Sequence, residues 1–202
     1  MVALALAAAS PDRLPPVDQC SGDPSFERFR SDLADIVGRQ DKERLLELVN
    51  DNVQVDLGGD GYGKRAFIAA WTLDIPQQSK VWGEIATLLR LGCISGEGGN
   101  LMPSLFEQVG PDRDLLETFV AVIPGSPLRS EPRVDASAVA TLHWDVLTLE
   151  EVVGDLDWWR VRLSDGRRGY VRAGEARNPL DYRLFVSKAD GIWRIRALVA
   201  GD

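Results

Sequence analysis

The stretch DLGGDGYGKRAF, residues 56–67, sets four residues between Gly58 and the pair Gly63, Lys64. That is close to the spacing of a phosphate-binding loop. Such a loop cradles phosphates with backbone N–H groups, reaches the outer phosphates with its lysine, and holds magnesium through a Ser or Thr hydroxyl beside that lysine. Here the hydroxyl position is Arg65. The downstream chain also lacks the strand–helix alternation of a parallel sheet. Calcium fits no better: counting from Asp56, Phe67 falls where an EF-hand needs a bidentate Glu. The glycines therefore read as a turn from a strand into a helix, where positive φ is needed.

Other catalytic constellations are thin. His143 is the sole histidine, and no Ser or Cys near it carries a nucleophile motif, so it reads as an ordinary strand residue. Clusters of His and Cys at metal-ligand spacing are missing, and no cofactor is expected. Carboxylates are plentiful, and Asp56, Asp60 and Glu84 are the candidates for a carboxylate-dependent hydrolase, a geometry that spacing alone does not reveal.

The elements that would position any site follow from periodicity. Phe26, Phe29, Leu33, Ile36 and Val37 fall at helical spacing, and Leu45, Leu46, Leu48 and Val49 suggest a second short helix. NVQVDL reads as a brief strand and KRAFIAAWTL as a third helix. A fourth carries Trp82, Ile85, Ala86 and Leu89 on one stripe, with Ser79 as its N-cap and Gly92 near its end. ISGEGGNLMP reads as a loop. Short strands follow, and YRLFVSKADGIWRIRALVAGD reads as a hairpin turning at residues 189–191.

Composition narrows the partners. The 202 residues carry 31 acidic against 23 basic side chains, a net charge of -8, which disfavours nucleic acid and anionic lipid. Only Lys42, Lys64, Lys80 and Lys188 are lysines, so the positive charge is mostly arginine, suited to bidentate recognition of carboxylates and equally to surface ion pairs. MVALALAAAS resembles the end of a secretory leader without its basic region, and is too short to span a membrane. Cys20 and Cys93 permit one disulfide in an exported protein; the other reading makes Cys93 a small buried residue and leaves Cys20 in a mobile tail.

Residues 119–177 resemble a bacterial SH3 domain. The resemblance rests on SPLRSEPRVDASAVATLHWDVLTLEEV and on GDLDWWRVRLSDGRRGYVRAGEA, with its Trp-Trp strand, Asp-Gly turn and Gly-Tyr-Val strand. Alternation independently puts Trp159, Val161 and Leu163 on a core face and Trp158, Arg160 and Arg162 on the other. The resemblance implies that Trp158 and Tyr170 line a peptide groove. RAGEA after GYV lacks the Pro and Tyr that complete a proline-binding groove, so PxxP recognition is not expected. Beside those aromatics, Arg160, Arg162, Arg167, Arg168 and Arg172 are expected to receive a carboxylate-bearing peptide, with Arg160, Arg162 and Arg172 as the leading candidates. The alternative pairs the arginines with Asp145, Glu150, Glu151, Asp155 and Asp157 and leaves Trp158 as cover for the barrel. From Phe26 onward the chain is also similar to exported bacterial proteins carrying one SH3 domain in this setting, which implies an architecture and a compartment but no activity.

The expected fold class is α+β: a leader remnant and linker over 1–23, a mainly helical domain over 24–116, an SH3-like barrel over 117–177, and a C-terminal hairpin over 178–202 packing on one or the other. The expected function is a non-catalytic periplasmic or secreted protein binding a peptidoglycan stem peptide or an envelope protein, without nucleic-acid binding or a membrane span. A cell-wall hydrolase or its accessory, and a purely structural barrel, are the alternatives.

Overall fold

The computed structural model describes residues 12–59, 61–154 and 157–201. The leader-like stretch MVALALAAAS therefore lies outside the described residues, as do Asp60 and Asp155. Among the described residues the fold is mixed α+β with two sheets, and no helix is long and apolar enough to cross a membrane. The first half carries α1 (Pro24–Arg39), α2 (Lys42–Leu48), β1 (Val49–Gln54), α3 (Gly63–Ala70), α4 (Val81–Arg90), β2 (Ile94–Gly96), β3 (Gly99–Met102) and α5 (Leu105–Gln108). Then come β4 (Thr118–Ala121), β5 (Ser126–Arg129), β6 (Ala138–Leu142), β7 (Val146–Val153), β8 (Trp158–Leu163), β9 (Arg168–Arg172) and β10 (Ala176–Arg177), and last β11 (Arg183–Ala189) and β12 (Ile192–Val199).

Two compact units result, one from residues 16–107 and 180–202, the other from residues 1–15 and 108–179. The first combines its helices with a sheet. Its five-stranded sheet runs β1-β12-β11-β3-β2, and ISGEGGNLMP, expected as a loop, forms the antiparallel pair β2–β3. Glycine content hid that pair: Gly99 sits at φ 122°, and a Cβ there would lie 2.1 Å from the Val186 carbonyl oxygen, so only glycine lets β3 approach β11. β12 pairs in parallel with β1, Val49 opposite Ile195, and antiparallel with β11 around Asp190 and Gly191, whose positive φ values of 51° and 79° suit a type I′ turn. The C-terminal strands thus belong to the sheet of the first unit.

Helix α1 begins where the Asp23 carboxylate accepts from the Ser25 and Phe26 N–H groups, with Pro24 at the first helical position. Its buried stripe of Phe26, Phe29, Leu33, Ile36 and Val37 shares one core with Phe67, Ile85, Leu88, Leu184, Val186, Ile195 and Leu198. Ser79 does not cap α4: its hydroxyl donates to the Trp71 carbonyl at 2.6 Å, and Lys80 occupies the cap position without a side-chain bond. Residues 12–23 are not a free linker either. Leu14 N–H donates to the Trp144 carbonyl, Gln19 N–H donates to the Cys93 carbonyl, and Cys93 N–H donates to the Val17 carbonyl. Cys20 and Cys93 form a disulfide, Cα to Cα 5.8 Å, and both are buried.

The second unit holds a seven-stranded sheet, β10-β4-β7-β8-β9-β5-β6. It is open, with β10 and β6 as its edges among the described residues, rather than the closed barrel expected. The boundary lies at residues 107–108, earlier than expected. Its core gathers Phe119, Leu128, Leu142, Leu147, Val161, Leu163 and Val171, with Trp159 packed on Phe119 at 4.6 Å between ring centroids.

Candidate functional site

Strand β8 supplies the expected division of faces. Val161 and Leu163 are buried and Trp159 packs on the core, so the period of two turns Trp158, Arg160 and Arg162 outward. β9 runs antiparallel beside it, with Trp158 opposite Arg172, Arg160 opposite Tyr170 and Arg162 opposite Arg168. Directly opposite residues share a face, so the five expected residues Trp158, Arg160, Arg162, Tyr170 and Arg172 lie on one surface. They are not equivalent.

Arg160 and Arg162 are engaged within the protein. A bulge in β7, between Leu149 and Glu151, leaves Glu150 unopposed and lets it turn outward with Glu151. The Glu150 carboxylate accepts from Arg162 Nε at 3.2 Å and Arg168 Nε at 2.9 Å, and lies 3.7 Å from Arg160 Nε; Arg160 also pairs with Glu151 at 3.7 Å. Partial burial pushes the Glu150 carboxyl up, but the Arg168 hydrogen bond and charge, then Arg162 and Arg160, outweigh it and hold it below the usual glutamate range. At the tip, Asp165 accepts from Arg167 Nε at 2.8 Å, and this bond draws the Asp165 carboxyl down. Three arginines converging on one carboxylate form an ion cluster on the protein's own surface, so a ligand carboxylate at Arg160 or Arg162 would compete with Glu150.

Arg172 differs. Its guanidinium carbon lies 6.0 Å from the centroid of the Trp158 ring, its side chain is exposed and makes no ion pair with a carboxylate among the described residues, and its backbone N–H donates to Glu175 Oε2 at 3.3 Å. Tyr170, half-buried, precedes it by one pleat on the same face. Arg129 belongs with these residues and was not singled out from the sequence. It lies opposite Tyr170 across the β5–β9 pair, has no carboxylate partner among the described residues, and its Nε is walled in without an acceptor. The signal available in the sequence was its place next to the buried Leu128, which turns Arg129 outward; the pairing with β9 was not legible.

The glycine-rich stretch at 56–67 binds itself. The Asp56 carboxylate accepts from Gly59 N–H at 2.8 Å, Val55 N–H donates to the Gly61 carbonyl, and a Cβ on Gly61 would lie 2.1 Å from an Asp56 carboxylate oxygen. Lys64 pairs with Asp51 at 3.0 Å. The loop's negative charge and the lysine's partner occupy what a phosphate would need. Asp56 and Glu84 lie in this loop and on α4, and neither lines the groove described next. His143 is exposed in a bend between β6 and β7 rather than in a strand, its backbone N–H held by Asp145 at 2.5 Å.

The first unit carries a groove of about 580 Å³ on its sheet. Leu57, Ile94, Leu101, Phe185 and Val199 contribute apolar lining, with Gln54, Glu107 and Arg196 as polar groups.

No family model matches the chain, and no curated protein does. One solved structure, a variant of the designed NTF2-like protein Rd1NTF2_05, aligns over 87% of this chain and 96% of that one at 14% identity with a TM-score of 0.30. A likeness of that size carries no argument about fold or activity.

Proposed function

We propose that this is an exported, non-catalytic binding protein, whose seven-stranded unit is SH3-like and takes a carboxylate-bearing peptide, a cell-wall stem peptide or an envelope-protein segment, against Trp158, Tyr170 and Arg172. The observation that carries the reading is the exposed Arg172 guanidinium, 6.0 Å from the Trp158 ring centroid and without an ion pair among the described residues. A guanidinium over an indole presents its fork edgewise to an anion while the ring covers apolar peptide surface.

Support for the SH3-like reading comes from connectivity. The strand β4 is followed by the excursion β5–β6, the meander β7-β8-β9, a 3₁₀ turn at Ala173–Glu175, and β10 returning antiparallel to β4. The Cys20–Cys93 bridge supports export, because disulfides persist in oxidising compartments.

Sedimentation with insoluble peptidoglycan at moderate salt tests the proposal. Saturable binding that is lost in Trp158→Ala is expected. A wild-type protein that stays in the supernatant overturns the cell-wall reading.

A further inference from the structure

Among the described residues, Arg129 and Arg172 on the outer face of the second unit make no ion pair with its carboxylates. Arg160, Arg162 and Arg168 converge on Glu150, and Arg167 pairs with Asp165. Arg133 takes Glu131 at 3.0 Å and Asp135 at 2.8 Å. Asp135 is the acidic group that feels the Arg129 charge, and its hydrogen bond goes to Arg133. Arg129 and Arg172 remain.

Their spacing is set by register. Arg129 is directly opposite Tyr170, and Arg172 lies two residues further along the same strand, so the two arginines are diagonal neighbours on one face. Diagonal neighbours across an antiparallel pair stand about 7–8 Å apart. In an extended peptide, side chains two residues apart project to the same side at about 6.6 Å. Tyr170, directly opposite Arg129 and two residues before Arg172, offers its ring to the peptide backbone that joins the two carboxylate-bearing residues, while Trp158 lies beside Arg172. The walled-in Arg129 Nε leaves the other end of the fork to meet an anion. An unpartnered guanidinium beside apolar surface gains more from a carboxylate than a solvated one does.

We propose that Arg129 is a second carboxylate-receiving residue of this face, and that the ligand is an extended peptide bearing two carboxylates on alternate residues. The inference rests on the binding face proposed above and specifies its ligand class.

Calorimetry on the whole protein with three blocked tetrapeptides tests it: acetyl-Ala-Gln-Ala-Gln-amide, acetyl-Ala-Glu-Ala-Gln-amide and acetyl-Ala-Glu-Ala-Glu-amide. The diacid is expected to bind at least about tenfold more tightly than the monoacid, since a charge-assisted bond is involved. Arg129→Met, which keeps the aliphatic stem, should bring the two to equal affinity, whereas Arg162→Gln should preserve the preference because Arg162 is already paired. Equal affinity of monoacid and diacid for the unaltered protein overturns the second subsite and leaves the binding face standing. A preference that survives in Arg129→Met also overturns it. If none of the three peptides binds, the face itself is wrong and the inference falls with it.

Discussion

Glu150 holds Arg168 through both carboxylate oxygens, at 2.9 and 3.1 Å from Nε. The bulge that pushes Glu150 outward also brings Arg160 and Arg162 to it, so one acidic residue accounts for three of the basic residues on this face. Glu150→Gln tests that arrangement through pH. A carboxyl held below its ordinary value contributes stability that is present above the unfolded value of about 4.3 and is lost as pH falls through the lower folded value. The melting-temperature gap between wild type and Glu150→Gln should be constant from neutral pH to about 5 and close progressively below about 4.3. High salt should narrow it at neutral pH. A gap of the same size at pH 3 and pH 7, both read against that scale, would remove charge from the explanation.

The disulfide makes a second prediction. Its cysteines are 73 positions apart, and closing a loop of that length lowers unfolded-state entropy by about 4 kcal/mol in the chain-entropy description. The double variant Cys20→Ala, Cys93→Ala should lose about that much in urea unfolding. Unfolding wild type in the presence of reductant should give the same loss, and reductant should leave the double variant unchanged. Equal midpoints for oxidised and reduced wild type would contradict it.

Much of this fold was legible locally and little of it globally. The stripe from Phe26 to Val37 and the two faces of Trp158–Leu163 follow from period alone, since each needs only its neighbours in sequence. The Asp190–Gly191 turn follows from residue type. What escaped depends on partners distant in the chain. Ile195 pairs with Val49, and β2–β3 becomes a pair because β11 lies beside β3. The candidate site shows the same divide. Alternation placed Trp158, Arg160 and Arg162 on one face, but which arginines are engaged depends on a bulge in β7 and on the β5–β9 register. Composition gave an excess of arginine without saying which of them lack a carboxylate.

Removing the last two strands should collapse one unit and spare the other. Leu184, Val186, Ile195 and Leu198 are each at most 1% exposed in the core of the first unit, and β1 has β12 as its sheet partner. Full burial of one such side chain is worth about 1.5–3 kcal/mol, so losing four removes an amount comparable to a whole domain's stability. A chain ending at Pro179 should lose the helical ellipticity that α1 to α4 supply and keep a cooperative transition from residues 108–179. Retention of the full helical signal would show that β11 and β12 are dispensable.

Gly169 links the core of the second unit to the face proposed to bind peptide. A Cβ there would lie 2.6 Å from the Arg129 carbonyl oxygen and 2.7 Å from Leu128 Cγ, so glycine lets β9 approach β5 closely enough to set Arg129 opposite Tyr170. Gly169→Ala should cost about 1–3 kcal/mol by overpacking, because both obstructing groups are held, one by the backbone and one in the core. Gly174→Ala is the matched control, since nothing lies within 4 Å of its added carbon. Urea midpoints should separate the two variants. Calorimetry should show that Gly169→Ala loses the preference for the diacid peptide while retaining monoacid binding at Arg172, because β5 shifts and β8–β9 does not. A Gly169→Ala protein with unchanged stability and preference would mean that Arg129 is not placed by this close approach.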